Sequence, residues 1–66
     1  MKIILNGNLK EIEESVTLKN IIEQFSKDSS RIIAELNGAV VKHHQWADRK
    51  LEDGDSLELV NFVGGG

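Results

Sequence analysis

Sixty-six residues with a formal charge of −3 and no cysteine make one small domain, without disulfides, thiolate chemistry or a cysteine zinc site. The acidic balance argues against nucleic-acid partners, which need a basic face to neutralise phosphates, and is compatible with a basic protein partner. No stretch reaches the about 20 apolar residues of a membrane span, and the opening MKIILNGN is too short for a signal peptide, so the expected location is the cytoplasm.

A chain of this size hides only about 60% of the surface its unfolded form exposes. Its core is expected to supply about 3–5 kcal/mol net. Lys2-Ile3-Ile4-Leu5 reads as a strand. Asn6-Gly7 follows, the dipeptide of a type I′ turn, whose two central positions both need φ > 0. Leu9 to Glu13 is expected to return as the second strand. Leu18, Ile21, Ile22 and Phe25 then fall at i, i+3, i+4 and i+7, the stripe of an amphipathic helix. Thr17 is placed to cap it, and Val16 and Ile21 are spaced as a hydrophobic staple. The helix is expected to run from about Leu18 to about Lys27, where Asp28-Ser29-Ser30 breaks the pattern.

Arg31 to Leu36 reads as a third strand, Asn37-Gly38 as a second turn, and Ala39-Val40-Val41 as a short extended piece. His43 to Arg49 has no strand pattern and is expected to form a helical turn carrying Trp46 inward. Leu51 reads as a short strand or a buried anchor. Glu52-Asp53-Gly54-Asp55 is a tight turn, and Leu57 to Val63 the last and most apolar strand. The order β-β-α-β-(β)-β, with one helix burying its stripe on one face of a mixed sheet, is an α+β class. Its expected architecture is the β-grasp, or ubiquitin-like, fold. Residues 1–63 form the domain and 64–66 a flexible glycine tail, with the last strand in mid-sheet and its end projecting beyond it.

Side chains alternate across a strand. Ile3, Leu5, Ile32, Ala34, Leu36, Leu57 and Leu59 are therefore expected in the core with Leu18, Ile21, Ile22 and Phe25, closed by Trp46 and Leu51. Ile4, Ile33, Val60 and Phe62 point to the opposite face, which no helix covers. Such an apolar set marks a candidate docking patch, although single exposed apolar residues are ordinary on small proteins.

No catalytic constellation is present in the sequence. His43 and His44 are adjacent and splay apart on either regular structure, so no metal site is expected there. The serines have turn and cap explanations, and none has a base at motif spacing. Asp53-Gly54-Asp55 lacks the further oxygen ligands of a calcium loop. Glu13-Glu14 reads as a solvated face. The remaining chemical oddity is Gly64-Gly65-Gly66. Glycine has no Cβ, so this backbone can pass a channel too narrow for side chains. An unhindered C-terminal carboxylate becomes an electrophile once it is converted to an acyl-adenylate. Three glycines by themselves equally describe a linker.

The segment LEDGDSLELVNFVGGG (residues 51–66) resembles the ending of the thiamine-biosynthesis sulfur carrier family, ThiS. Thr17 to Phe25, TLKNIIEQF, is similar to that family's first helix, and Asn37-Gly38, Val40-Val41 and Trp46 follow its pattern. The resemblance implies a protein co-substrate and not an enzyme, with no catalytic residue and no bound cofactor or metal. It implies that a ThiF-like adenylyltransferase activates the Gly66 carboxylate with ATP. Sulfur drawn from cysteine by a desulfurase then gives a thiocarboxylate on Gly66, which thiazole synthase, ThiG, consumes. Gly64 and Gly65 would occupy the partners' channels, and Ile4, Ile33, Val60 and Phe62 would dock. The free carrier is expected to be a monomer. Members often carry Pro or Arg near Lys42-His43-His44, so local partner contacts there differ. Three alternatives remain. The small subunit of molybdopterin synthase has a similar role but usually ends in a Pro-Pro-Val-Ser-Gly-Gly-like segment, and this chain has no proline. A tRNA-thiolating ubiquitin-related modifier is a second. A non-carrier interaction module with linker glycines is the third.

Overall fold

The computed structural model describes residues 1–62; Val63 and Gly64–Gly66, including the expected tail, lie outside the described residues. Among the described residues five strands form one mixed sheet: β1 (Lys2–Leu5), β2 (Asn8–Glu11), β3 (Ile32–Leu36), β4 (Ala39–Val41) and β5 (Ser56–Asn61). Their order is β2-β1-β5-β3-β4. Strand β5 runs parallel to β1 and antiparallel to β3, which places it in the middle. One helix, α1 (Leu18–Phe25), covers one face. This is the β-grasp arrangement expected from the order of elements.

Both Asn-Gly turns form as their chemistry dictates. Asn6 and Gly7 have φ of 49° and 82°, and Asn37 and Gly38 have 51° and 86°, the left-handed pair that joins two twisted strands without splaying them. Strand β2 spans Asn8–Glu11, shorter than the expected run to Glu13. Arg31 belongs to a single 3-10 turn, Ser29–Arg31, and β3 starts one residue later.

The start of α1 leaves no first-turn donor unmet. The Leu18 N–H donates to the Arg49 carbonyl, and the Lys19 N–H to that of Trp46. Asn20 N–H donates to Thr17 Oγ1 at 3.2 Å, and Thr17 N–H donates back to Asn20 Oδ1 at 3.1 Å, a reciprocal capping box. The loop from His43 to Lys50 thus serves as the seat of the helix. Trp46 enters the core from that loop, and its indole Nε1–H donates to the Val41 carbonyl at 2.9 Å. Leu51 is buried beside it, and the Leu51 N–H donates to the Val16 carbonyl.

The core consists of Ile3, Leu18, Ile21, Ile22, Ile32, Ala34, Leu36, Trp46, Leu51, Leu57 and Leu59. Two residues depart from the sequence expectation. Leu5 is half-buried, packed against the core but not within it. Phe25 is not core: it remains 43% exposed. Its angular position on the stripe is right, but α1 ends at Phe25, two residues earlier than expected, with Ser26 extended as its C-cap. Phe25 therefore overhangs the end of the β1–β2 hairpin, where it lines a shallow depression with Leu5, Asn8 and Leu9.

The cap yields a direct test. Thr17→Ala should lower unfolding free energy by about 1 kcal/mol, read as a shift of the urea midpoint with an unchanged slope. A neutral result would show that the His43–Lys50 loop alone holds the helix start.

Candidate functional site

The site is the exit of β5 and the open face beside it. Strand β1 pairs with β5 only through Ile4–Ser56 and Leu5–Leu57, then turns away at Asn6-Gly7. Strand β5 runs on to Asn61 with β3 as its neighbour, paired from Leu36–Leu57 to Ile32–Asn61. The lost β1 side is partly replaced by a side chain. Asn6 Oδ1 accepts the Leu59 N–H at 2.7 Å, so the turn residue adds one rung to the ladder.

The last described tether is the Phe62 N–H, which donates to the Arg31 carbonyl at 3.0 Å. The turn that holds Arg31 is itself capped by Asp28. Its carboxylate accepts from the N–H and the hydroxyl of Ser30. Those bonds hold the Asp28 carboxyl below its ordinary range, the hydroxyl first and the N–H second, with slight desolvation opposing and the Arg31 charge adding. A carboxyl depressed in the folded state stabilises fully above its unfolded pKa, and that contribution disappears as pH falls through the folded value. The Asp28 contribution to this turn is therefore lost only on acidification.

Ile4, Ile33, Val60 and Phe62 all lie on the uncovered face and are 40–53% exposed. They do not form one patch. Ile33 and Val60 are direct cross-strand partners, and Phe62 follows on the same face towards the tail. Ile4 is level with Ser56, four residues before Val60, or about 13 Å along the strand. Its neighbour is instead Leu9, paired with it across the hairpin. Two exposed apolar residues were missed in the sequence. Leu9 joins Ile4. Val40 lies diagonal to Ile33 and lines a surface depression with it. The alternation of Leu9 with Lys10 and of Val40 with Val41 is too short to assign a face without the register.

The other candidates are engaged structurally. Asp53 Oδ1 accepts the Lys2 N–H at 2.7 Å. Asp55 accepts from Asn37 Nδ2 and from the Glu52 N–H. Both oxygens of Asp55 and one of Asp53 thus tie the lower end of the sheet together. His43 stacks on Trp46, ring centroids 4.2 Å apart. Among the described residues no three His, Cys, Asp or Glu side chains cluster as a metal site, and no helix is long and apolar enough to cross a membrane. Gly64, Gly65 and Gly66 lie outside the described residues.

A mixed sheet with β5 central between β1 and β3, and one helix across one face, defines the ubiquitin-like, β-grasp class of domain. The ThiS family model matches residues 3–66, and the chain belongs to that family. The sulfur carrier protein ThiS of Escherichia coli is 26% identical over 66 residues, all of both chains. That of Bacillus subtilis is 29% identical over 63 residues, 94% of this chain and 96% of that one. A thiazole synthase of Paramagnetospirillum magneticum is 33% identical over all 66 residues. The present chain spans only 20% of that relative's length. The crystal structure of the thiamine biosynthesis protein ThiS from Geobacter metallireducens superposes with a TM-score of 0.85 at 26% identity, covering 100% of both chains.

The two faces of β5 predict opposite responses to charge. Phe62→Asp should change folding stability by no more than about 0.5 kcal/mol, as an exposed substitution does. Leu59→Asp buries an unpaired carboxylate and should leave no folded population by circular dichroism. Melting of the Phe62 variant would show that the face assignment is wrong.

Proposed function

We propose that the chain carries sulfur as a thiocarboxylate on Gly66. As a ThiS family member it is a sulfur carrier protein of thiamine biosynthesis, a co-substrate and not a catalyst. The observation that carries the site assignment is the geometry of β5, which is clamped to Phe62 by the Arg31 carbonyl and leads directly into Val63-Gly64-Gly65-Gly66.

The chemistry follows from the terminus. The Gly66 carboxylate attacks the α-phosphorus of ATP held by a ThiF-like adenylyltransferase, and pyrophosphate leaves. A persulfide, formed from cysteine sulfur by a desulfurase, adds to the acyl carbon, and AMP leaves. A thiol reductant then cleaves the resulting acyl disulfide with two electrons, releasing the thiocarboxylate and leaving the thiol that bore the persulfide in a disulfide with the reductant. Gly64 and Gly65 thread the partner's channel because a Cβ at either position would widen the chain. The carrier itself binds no cofactor, and ATP belongs to the activating partner. The thiocarboxylate then gives its sulfur to thiazole synthase. This reading is supported by the thiazole synthases of two organisms, which contain a segment similar to the whole of this chain. Ile33, Val60 and Phe62 dock the partner nearest the tail, and Ile4 with Leu9 forms a second contact further down the sheet. On this reading the free carrier is a monomer and works in the cytoplasm, where ATP is at hand.

Deletion of Gly66 should abolish carrier-dependent ATP–pyrophosphate exchange by the adenylating enzyme while leaving the unfolding midpoint unchanged. Phe62→Asp should weaken binding to that enzyme in a folded protein. Full exchange with the Gly66 deletion would reduce the glycines to a linker and make the chain an interaction module.

A further inference from the structure

The open face carries a charge arrangement that apolar docking alone leaves unexplained. Glu35 of β3 and Glu58 of β5 are direct register partners and both are exposed. The Phe62-to-Arg31 hydrogen bond fixes the alternation along these strands, so pairs 33/60 and 35/58 are of the hydrogen-bonded kind. Their α-carbons are then about 5.5 Å apart. Two carboxylates on one face at that separation repel, and like charges directly opposite one another destabilise a sheet. Among the described residues neither carboxylate forms an ion pair within 4.0 Å, the pair found being Arg31–Asp28 at 3.9 Å; the nearest cation by register is Lys42, diagonal to Glu35 at the rim of the face. The pair sits between the Ile33–Val60 apolar pair and the Ile4–Leu9 pair, with Val40 opposite Glu35.

This arrangement selects its occupant. A second copy stacked through the centre of the face would set four carboxylates together. A neutral apolar surface would strip water from two unpaired charges, which is costly. A guanidinium can donate to both carboxylates at once through its planar fork, and its faces tolerate an apolar surround. We propose that the sheet face receives an arginine of the adenylating partner between Glu35 and Glu58, with Ile33, Val40 and Val60 excluding water around it. The identity of that partner rests on the carrier reading; the cationic, apolar-rimmed character of its surface follows from the face itself. The like-charge pair thus trades some folding stability for recognition.

The test compares the wild-type chain with Glu35→Gln, Glu58→Gln and the double variant. Affinity for the adenylating enzyme is measured by calorimetry at two salt concentrations, and folding stability by urea. Each glutamine keeps the shape of the side chain and removes repulsion, so the urea midpoint should hold or rise. The dissociation constant of the double variant should increase at least about 30-fold, with a smaller salt dependence than the wild type. Affinity equal to the wild type in the double variant overturns the proposal, as does an enzyme with no affinity for the wild-type chain. Pyrophosphate exchange at saturating enzyme separates the two claims. Exchange retained by a double variant of undiminished affinity removes the arginine and leaves the carrier. No exchange by the bound wild-type chain removes the carrier, while a loss of affinity in the double variant still upholds the charged docking site.

Discussion

Strand β5 meets β1 through two residue pairs and β3 through five. That unequal pairing is the constraint on which the rest of the structure depends. The shared start locks β5 into the middle of the sheet, where Leu57 and Leu59 bury against α1. The unshared end carries the chain beyond β1 on a single neighbour. Asn6 then acts twice, as the first residue of a left-handed turn and as the acceptor for the Leu59 N–H. Without that side chain the overrunning strand would lose a rung at the point where β1 departs.

A domain this small has little stability to spare, and its polar residues show how the loss is limited. Thr17 and Asn20 cap the helix against each other, while the backbone of Trp46 and Arg49 takes the remaining first-turn donors. Asp53 and Asp55 bind the lower turn to Lys2, Asn37 and Glu52. The bonds of Arg49, Trp46, Asp53 and Asp55 to Leu18, Lys19, Lys2 and Asn37 join segments distant in sequence in a chain that has no cysteine. Leu18, Ile21 and Ile22 of the helix are thereby held against one side of the sheet. The opposite side is left bare, with apolar residues at both ends and paired carboxylates between them.

Much of this was legible in the residues. Both Asn-Gly turns, the Leu18–Ile21–Ile22 stripe, the Thr17 cap and the inward Trp46 follow from local chemistry, and the structure has them. The errors arise where a residue's fate depends on a distant neighbour. Phe25 has the right helical phase, but phase does not reveal that the sheet beneath it has ended. Ile4 has the right strand parity, but parity does not reveal that β1 and β5 are offset, so that Ile4 stands apart from Val60. The Asn6–Leu59 bond spans 53 residues and exists only once the parallel register is set. The same holds for the Glu35–Glu58 pair: each residue reads alone as a solvated acid, and only the β3–β5 register places them side by side. The glycines are the reverse case, obvious in the sequence and outside the described residues.

The central claim is that a rigid β-grasp body presents the Gly66 carboxylate for activation and sulfur transfer. The most direct measurement is the intact mass of the chain after incubation with the adenylating enzyme, ATP and a sulfur source, followed by fragmentation. The account predicts a mass gain equal to exchanging one oxygen for one sulfur, confined to the C-terminal fragment that contains Gly66. An unchanged mass in the presence of an enzyme active on another carrier, or a sulfur located anywhere else in the chain, would contradict it.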